Sequence, residues 1–291
     1  MNYREIEFKE TEGREDWLKV RQKGIGGSDV GAIAGMSQYG SPLSVYLDKK
    51  GKSSEQEDNE AMRQGRDLEE YVVKRFEDKM KLFTLKEDKI LQHKDLDFML
   101  GNIDRWVIKG ESILECKTTG HYDENSVPAY IELQCHHYMT VTGATVCYLA
   151  VLVFQKDFFV KKIERDEEIC NYLIQIETDF WKNYVEKDIM PAPDGSFSAA
   201  ELIKEMYPQS NGETIKLEEG YNEKIARYME LKGIIKPLEK EHDQIEQEIK
   251  MELKEAERGE TGRYIINYKT SIKKAYSVKE GKQRRFSIKE V

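Results

Sequence analysis

The chain has 291 residues, of which 39% are hydrophobic and 35% charged, with a net charge of −9 at pH 7. That length holds one large domain, or a domain of about 200 residues with an appendage. It contains no apolar run of about eighteen residues, the length that crosses a membrane, and Met1 to Glu10 is charged rather than an apolar signal core. The expectation is therefore a cytoplasmic protein with no membrane partner. The acidic total weighs against indiscriminate nucleic-acid binding but permits a local basic channel, because phosphates respond to the nearby field.

Taken in chain order, residues 14–23, with Trp17, Leu18 and Arg21, predict a short helix. Gly24-Ile25-Gly26-Gly27-Ser28-Asp29 breaks it, and Ser28 or Asp29 can cap a following helix over 30–35. Pro42 near the first turn predicts another helix over 42–49, followed by a polar loop over 51–59. Met62, Leu68, Tyr71, Val72 and Phe76 share one face of an amphipathic helix over 60–79. Residues 82–91 read as a strand region. Residues 98–108 and 112–117 are dense in strand formers around a Lys109-Gly110-Glu111 turn, which predicts a β-hairpin. A helix over 127–142 opened by Pro128, strands over 145–154 and 158–163, and a helix over 167–187 complete the core.

Pro191 and Pro193 mark the expected end of a core domain, 1–195. A helical appendage, 196–260, follows. Its apolar residues Ile225, Tyr228, Leu231, Ile235, Leu238, Ile245, Ile249 and Leu253 are spaced near three and four, as in a helical hairpin or coiled coil. His242 interrupts that pattern and Pro237 is placed to kink it. Residues 261–291 read as a basic β segment with nine Lys or Arg against Glu280 and Glu290, either a solvated end or a phosphate contact. Cys116, Cys135, Cys147 and Cys170 form no C-x-x-C pair, so they read as small buried residues in a reduced protein rather than as metal ligands.

The chemistry concentrates in the hairpin. Asp104 is flanked by Ile103 and Trp106, and Glu115 and Lys117 follow in the return strand. Residues i and i+2 of a strand share a face about 7 Å apart, so Glu115 and Lys117 emerge together and Asp104 can come beside them. Neighbouring buried carboxylates repel unless a cation sits between them, and hard oxygen ligands suit Mg²⁺, with Mn²⁺ as a substitute. Such an ion polarises a phosphate oxygen, and a nearby ammonium stabilises developing charge. The alternative is a surface hairpin with a charged outer face; the apolar Ile113-Leu114 before Glu115 argues for burial.

Gly101-Asn102-Ile103-Asp104 followed by Ile113-Leu114-Glu115-Cys116-Lys117 resembles the PD-(D/E)xK nuclease motif, and more narrowly that of the YqaJ-type viral recombinase, lambda exonuclease-like branch. Trp17-x-x-x-Arg21 with the glycine-rich turn resembles its opening motif, Gly65-Arg66-Asp67-Leu68-Glu69 its helical motif, and Gln134-Cys135-His136-His137-Tyr138-Met139 its closing helix. The four stand in family order over about residues 14 to 160. The resemblance implies an α/β (α+β) fold of the restriction-endonuclease type, a central mixed sheet flanked by helices. It implies Asp104, Glu115 and Glu69 as ligands of Mg²⁺, with Lys117 as catalytic lysine. Arg21 and Ser28, and Gln134 and His136 from the closing helix, would contact the DNA phosphates. His136 stands where the pattern has its second glutamine. The implied function is a metal-dependent exonuclease acting on the ends of linear double-stranded DNA in phage-type recombination. A single-strand annealing recombinase is its implied partner and a homo-oligomer its implied assembly. Three other readings stay open: a restriction or repair endonuclease of the same fold, a catalytically silent DNA-binding or scaffold protein, and a coiled-coil interaction protein based on residues 221–257.

Overall fold

The computed structural model describes residues 2–6, 19–53, 59–108, 110–272 and 284–288. They divide into two compact units, Met1–Met206 and Tyr207–Val291. In chain order the first unit contains β1 (Tyr3–Ile6), α1 (Gly27–Ile33), α2 (Pro42–Lys49), α3 (Glu60–Met80), β2 (Thr84–Lys86), β3 (Ile90–His93), β4 (Leu100–Gly101), β5 (Arg105–Val107) and β6 (Ser112–Thr119). Then come α4 (Ala129–Thr142), β7 (Val146–Val153), β8 (Asp157–Glu164), α5 (Glu167–Phe180) and α6 (Phe197–Met206).

Local sequence explains most of the boundaries. Ser41 and Ser44 cap α2 reciprocally, with Pro42 in the first turn. The Asn59 side chain accepts from the Met62 N–H at the start of α3, and Asp166 accepts from Glu168 and Ile169 at the start of α5. α4 ends at Gly143, whose φ of 78° is open to glycine without strain. α5 runs on into one π-helical turn, Trp181–Val185.

The central sheet has the order β2–β5–β6–β7–β8. Its pairs are antiparallel except β6–β7, which are parallel from Ser112↔Val146 to Thr119↔Val153. A parallel neighbour requires a crossover, and α4 supplies it. Alternation along the strands sends side chains to two different layers. Leu114 and Ala150 pack with Val72, Val73 and Phe76 of α3 on one face. Ile113, Cys147, Leu149 and Val151 pack with Ile131, Cys135 and Met139 of α4 on the other. This is the expected mixed sheet flanked by helices. Truncating Leu114, which is fully buried, to alanine is expected to cost about 2–5 kcal/mol. A second sheet, β1–β3–β4, stands beside it.

Three expectations change in the first unit. Residues 82–91 are two strands in two different sheets, β2 and β3, rather than one strand region. Asp104 lies in a bend just before β5 rather than inside a strand. The first unit runs on to Met206 instead of ending at the prolines, because α6 buries Ala199 and sets Leu202 and Met206 against the main core. Of the helix expected over 14–23, residues 19–21 are helical; Trp17 and Leu18 lie outside the described residues. All four cysteines are free thiols, three of them buried.

The second unit holds one uninterrupted 33-residue helix, α7 (Tyr221–Leu253), with Pro237 inside it, rather than a helical hairpin. A small hairpin of β9 (Arg258–Glu260) and β10 (Ile265–Asn267) follows. Much of the expected basic tail, 273–283 and 289–291, lies outside the described residues.

A buried polar pair ties three core elements together. His137 of α4 and Glu177 of α5 are both 0% exposed. His137 Nδ1 lies 2.9 Å from Glu177 Oε1, and Nε2 lies 2.9 Å from the Leu100 carbonyl oxygen of β4. Burial pushes the His137 pKa down, but the Glu177 carboxylate and the Leu100 carbonyl hold it above its ordinary 6.5. Burial raises Glu177 above its ordinary 4.5, with His137 opposing. Both groups therefore bind protons more tightly in the folded state. The stability they contribute is full below those ordinary values and is lost as pH rises through the folded ones. The melting-temperature difference between wild type and His137→Gln should shrink from about pH 5 to pH 9, with a loss of about 3–5 kcal/mol at the acid end. A pH-independent difference would contradict this origin.

Candidate active site

The site forms where the β5–β6 hairpin meets α4. Glu115 and Lys117 of β6 lie on the same face of the sheet as Ile113, which packs toward α4. Glu115 is 3% exposed. Its Oε1 accepts from Lys117 Nζ at 2.7 Å and from Gln134 Nε2 of α4 at 2.9 Å. Its Oε2 is buried with no hydrogen-bond partner. Gln134 also donates to the Tyr138 hydroxyl at 3.1 Å. The bend at Asp104 turns its carboxylate toward β6, where Oδ2 accepts from the Cys116 N–H at 2.7 Å.

The acids disturb one another. Burial, then Glu115, then Glu69 push the Asp104 carboxyl well above its usual range, against the Cys116 N–H and Lys117. Burial raises Glu115 as well, with Lys117 opposing and Glu69 adding to the rise. Lys117 moves up too: burial favours its neutral form, but the Glu115 carboxylate more than offsets this, so it stays a cation. Asp104 and Glu115 side by side, one with an orphaned buried oxygen and both raised by Glu69, form a donor set that fits a hard divalent cation. Without one, the cluster costs stability.

Glu69 reaches the cluster from α3, held by Arg105. This arginine is 3% exposed and pairs with Leu114 across the hairpin, so it points toward α3. Its Nη1 donates to Glu69 Oε1 at 2.8 Å and to the Asp104 carbonyl oxygen at 2.6 Å, and Nη2 bonds Glu70. One guanidinium thus fixes the upstream acid relative to the bend that carries Asp104.

A second polar feature adjoins this one. Arg21, Gly26, Gly27, Ser28, Leu100, Asn102 and Tyr138 are among the residues lining a cavity of about 80 Å³. Arg21 Nη2 donates to Ser28 Oγ at 2.9 Å. Asp29 Oδ2 accepts from the Gly26 N–H at 2.9 Å and from Lys49 Nζ at 2.7 Å. Lys49 also donates to the Arg21 carbonyl oxygen at 3.2 Å. The turn is stitched to the strand leading to Asp104, since Ile25 N donates to Phe98 O and Leu100 N to Ile25 O. A Cβ on Gly27 would come within 2.6 Å of the Tyr138 ring and 2.9 Å of Gln134 Cγ. Only glycine lets α1 approach α4 this closely.

Residues 16–145 match the YqaJ-like viral recombinase domain. The uncharacterized protein YqaJ of Bacillus subtilis (strain 168) is 34% identical over 302 residues, which cover 96% of this chain and 95% of that protein. The chain belongs to the YqaJ-like viral recombinase family. In fold, it resembles the crystal structure of an alkaline exonuclease (LHK-Exo) from Laribacter hongkongensis. The TM-score is 0.51 at 18% identity, over 60% of this chain and 94% of that one. The sheet with helices on both faces is thus the restriction-endonuclease-like fold.

In this YqaJ-like chain, Asp104, Glu115, Lys117, Gln134 and, through Arg105, Glu69 come together, and Arg21 and Ser28 line the adjoining cavity. His136 does not join them. Successive helical residues turn by about 100°, so His136 lies about 200° round α4 from Gln134. It lines a different cavity, of about 430 Å³, with Leu133, Ile169 and Tyr172. Burial pushes its pKa down, which leaves it neutral near pH 7 and poorly suited to binding phosphate. His136 and His137 are both buried.

Three participants escaped the sequence reading. Arg105 and Lys49 are charged residues that resemble surface positions, and Tyr138 resembles a core aromatic. The available signals were an arginine inside an otherwise apolar strand and Lys49 at i+3 and i+4 from the buried pair Tyr46 and Val45.

Two outcomes are expected. Asp104→Asn removes a repelled charge, so it should raise the melting temperature in chelator and abolish stabilisation by Mg²⁺ or Mn²⁺. A metal-free melting temperature below wild type would contradict the repulsion. Gly27→Ala should destabilise by about 1–3 kcal/mol in thermal unfolding; an unchanged transition would mean that α1 and α4 have room to move apart.

Proposed function

We propose that this chain is a deoxyribonuclease that degrades linear double-stranded DNA from its ends, with Mg²⁺ or Mn²⁺ held by Asp104, Glu115 and Glu69. The observation that carries this reading is the orphaned, buried Glu115 Oε2 beside a repelled Asp104. The cation, when bound, would neutralise the carboxylates and polarise a phosphate oxygen.

The rest of the work falls to the chain's own groups. Gln134 holds Glu115 Oε1 from α4 and so fixes the carboxylate's orientation. Lys117 is protonated, because Glu115 keeps its pKa above the ordinary value. It therefore acts as a cation and donor, stabilising the charge that develops on the phosphate and orienting a water, rather than as a base. Arg105 keeps Glu69 turned toward Asp104.

End selectivity is assigned to the turn. Arg21 offers a forked donor and Ser28 a hydroxyl in a cavity of about 80 Å³. Tyr138 lines that cavity and accepts from Gln134, which in turn holds Glu115. A terminal 5′ phosphate bound there would set the strand end against the acids. Family membership supports a place in phage-type recombination, where a single-strand annealing protein would take the exposed strand.

Purified protein with Mg²⁺ should shorten linear duplex DNA from its ends and spare a covalently closed circle. Lys117→Ala should lower the rate by about 10²–10³-fold. Arg21→Ala should remove any preference for 5′-phosphorylated over 5′-hydroxyl ends. Cutting of the circle would replace the exonuclease with an endonuclease on the same fold. Inertness toward both substrates with either ion would leave a DNA-binding or scaffold role.

A further inference from the structure

α7 has no buried side chain, although Leu231, Ile235, Leu238, Ile245 and Ile249 are 40–58% exposed. These residues are not scattered. Tyr228, Leu231, Ile235, Leu238, His242, Ile245 and Ile249 fall at alternating spacings of three and four, the a and d positions of a heptad repeat. Pro237 falls at a c position and Gly233 at an f position, both away from this seam. Among the described residues, the second unit offers α7 only a small hairpin and a short segment in which Phe286 meets one edge of Tyr228 at 5.8 Å. From Leu231 to Ile249 the seam is open.

We propose that α7 is the interface for a second copy of this chain, which packs its own α7 against it in antiparallel orientation. The flanking charges carry the choice of partner and direction. In a parallel pair, g residues meet e residues of the following heptad. Arg227 would then face Lys232 and Glu241 would face Glu246, two repulsive contacts on each side of the pair. In an antiparallel pair centred between Lys236 and Pro237, g residues meet g and e residues meet e. Arg227 then faces Glu248 and Lys232 faces Glu239, and the two-fold axis repeats both attractions. The same alignment sets Tyr228 against Ile245, Leu231 against His242 and Ile235 against Leu238, giving six continuous layers. His242 is thereby matched with leucine rather than with another histidine. At 33 residues, the helix is about 50 Å long, enough for these layers with its ends to spare.

Sedimentation equilibrium of the full chain tests this, because the two directions give opposite signs. Lys232→Glu should weaken self-association by about tenfold through loss of two pairs, Glu239→Lys should do the same, and the double substitution should restore it. Ile235→Asp with Leu238→Asp should abolish this step, while far-ultraviolet circular dichroism confirms that the chain stays folded. Stronger association of Lys232→Glu would overturn the antiparallel arrangement in favour of a parallel one. Self-association unchanged by every variant, or a wild-type chain that is monomeric at high micromolar concentration, would overturn the second copy as the occupant.

Discussion

Glu115 is buried and Asp104 half-buried beside it, with Glu69 close enough to raise the proton affinity of both. Placing like charges out of water is among the costlier arrangements a protein can adopt, and it persists only where the surrounding structure over-determines it. Here the over-determination is visible. Asp104 is tied to the Cys116 N–H, Glu115 to Lys117 and Gln134, and Glu69 to Arg105. Every one of these partners is a donor. They relieve part of the repulsion and leave Glu115 Oε2 unsatisfied, which is the feature a cation would complete.

The rest of the first unit serves to hold those groups still. The sheet alternates its faces so that Leu114 anchors to α3 while Glu115 meets α4. Arg105, opposite Leu114, carries the influence of α3 back to the Asp104 bend. His137 and Glu177 fasten α4 and α5 to Leu100, just upstream of that bend. The glycine-rich turn is stitched to the same strand, and Lys49 and Asp29 lock it from beneath. The cavity at Arg21 and the acids are thus mounted on the same segment, as the proposed registration of a strand end against a reacting bond would require.

The parts of this arrangement that follow a period were legible in the sequence. The two-residue repeat of Ile113, Glu115 and Lys117 gave their common face, and the apolar spacing of 60–79 gave the helix that carries Glu69. What escaped was tertiary. Asp104 reads as a strand residue because its neighbours are strand formers; its bend depends on a hydrogen bond to a residue twelve positions away. Arg105 and Lys49 read as surface charges because their burial is compensated by acids that lie far off in sequence. His136 occupies the place of the motif's second glutamine, but the 3.6-residue period carries it to the opposite side of α4 from Gln134. The continuity of α7 was obscured by Pro237, which sits on an exposed helix whose other backbone hydrogen bonds can compensate.

The most direct test of the cation site is a crystal structure of the chain grown with Mn²⁺, with anomalous data collected at the manganese edge. The account requires a peak between the Asp104 and Glu115 carboxylates, with Glu115 Oε2 turned to the ion and Lys117 displaced or shared. Manganese found only elsewhere, with Oε2 still unpartnered and Lys117 still on Oε1, would contradict it.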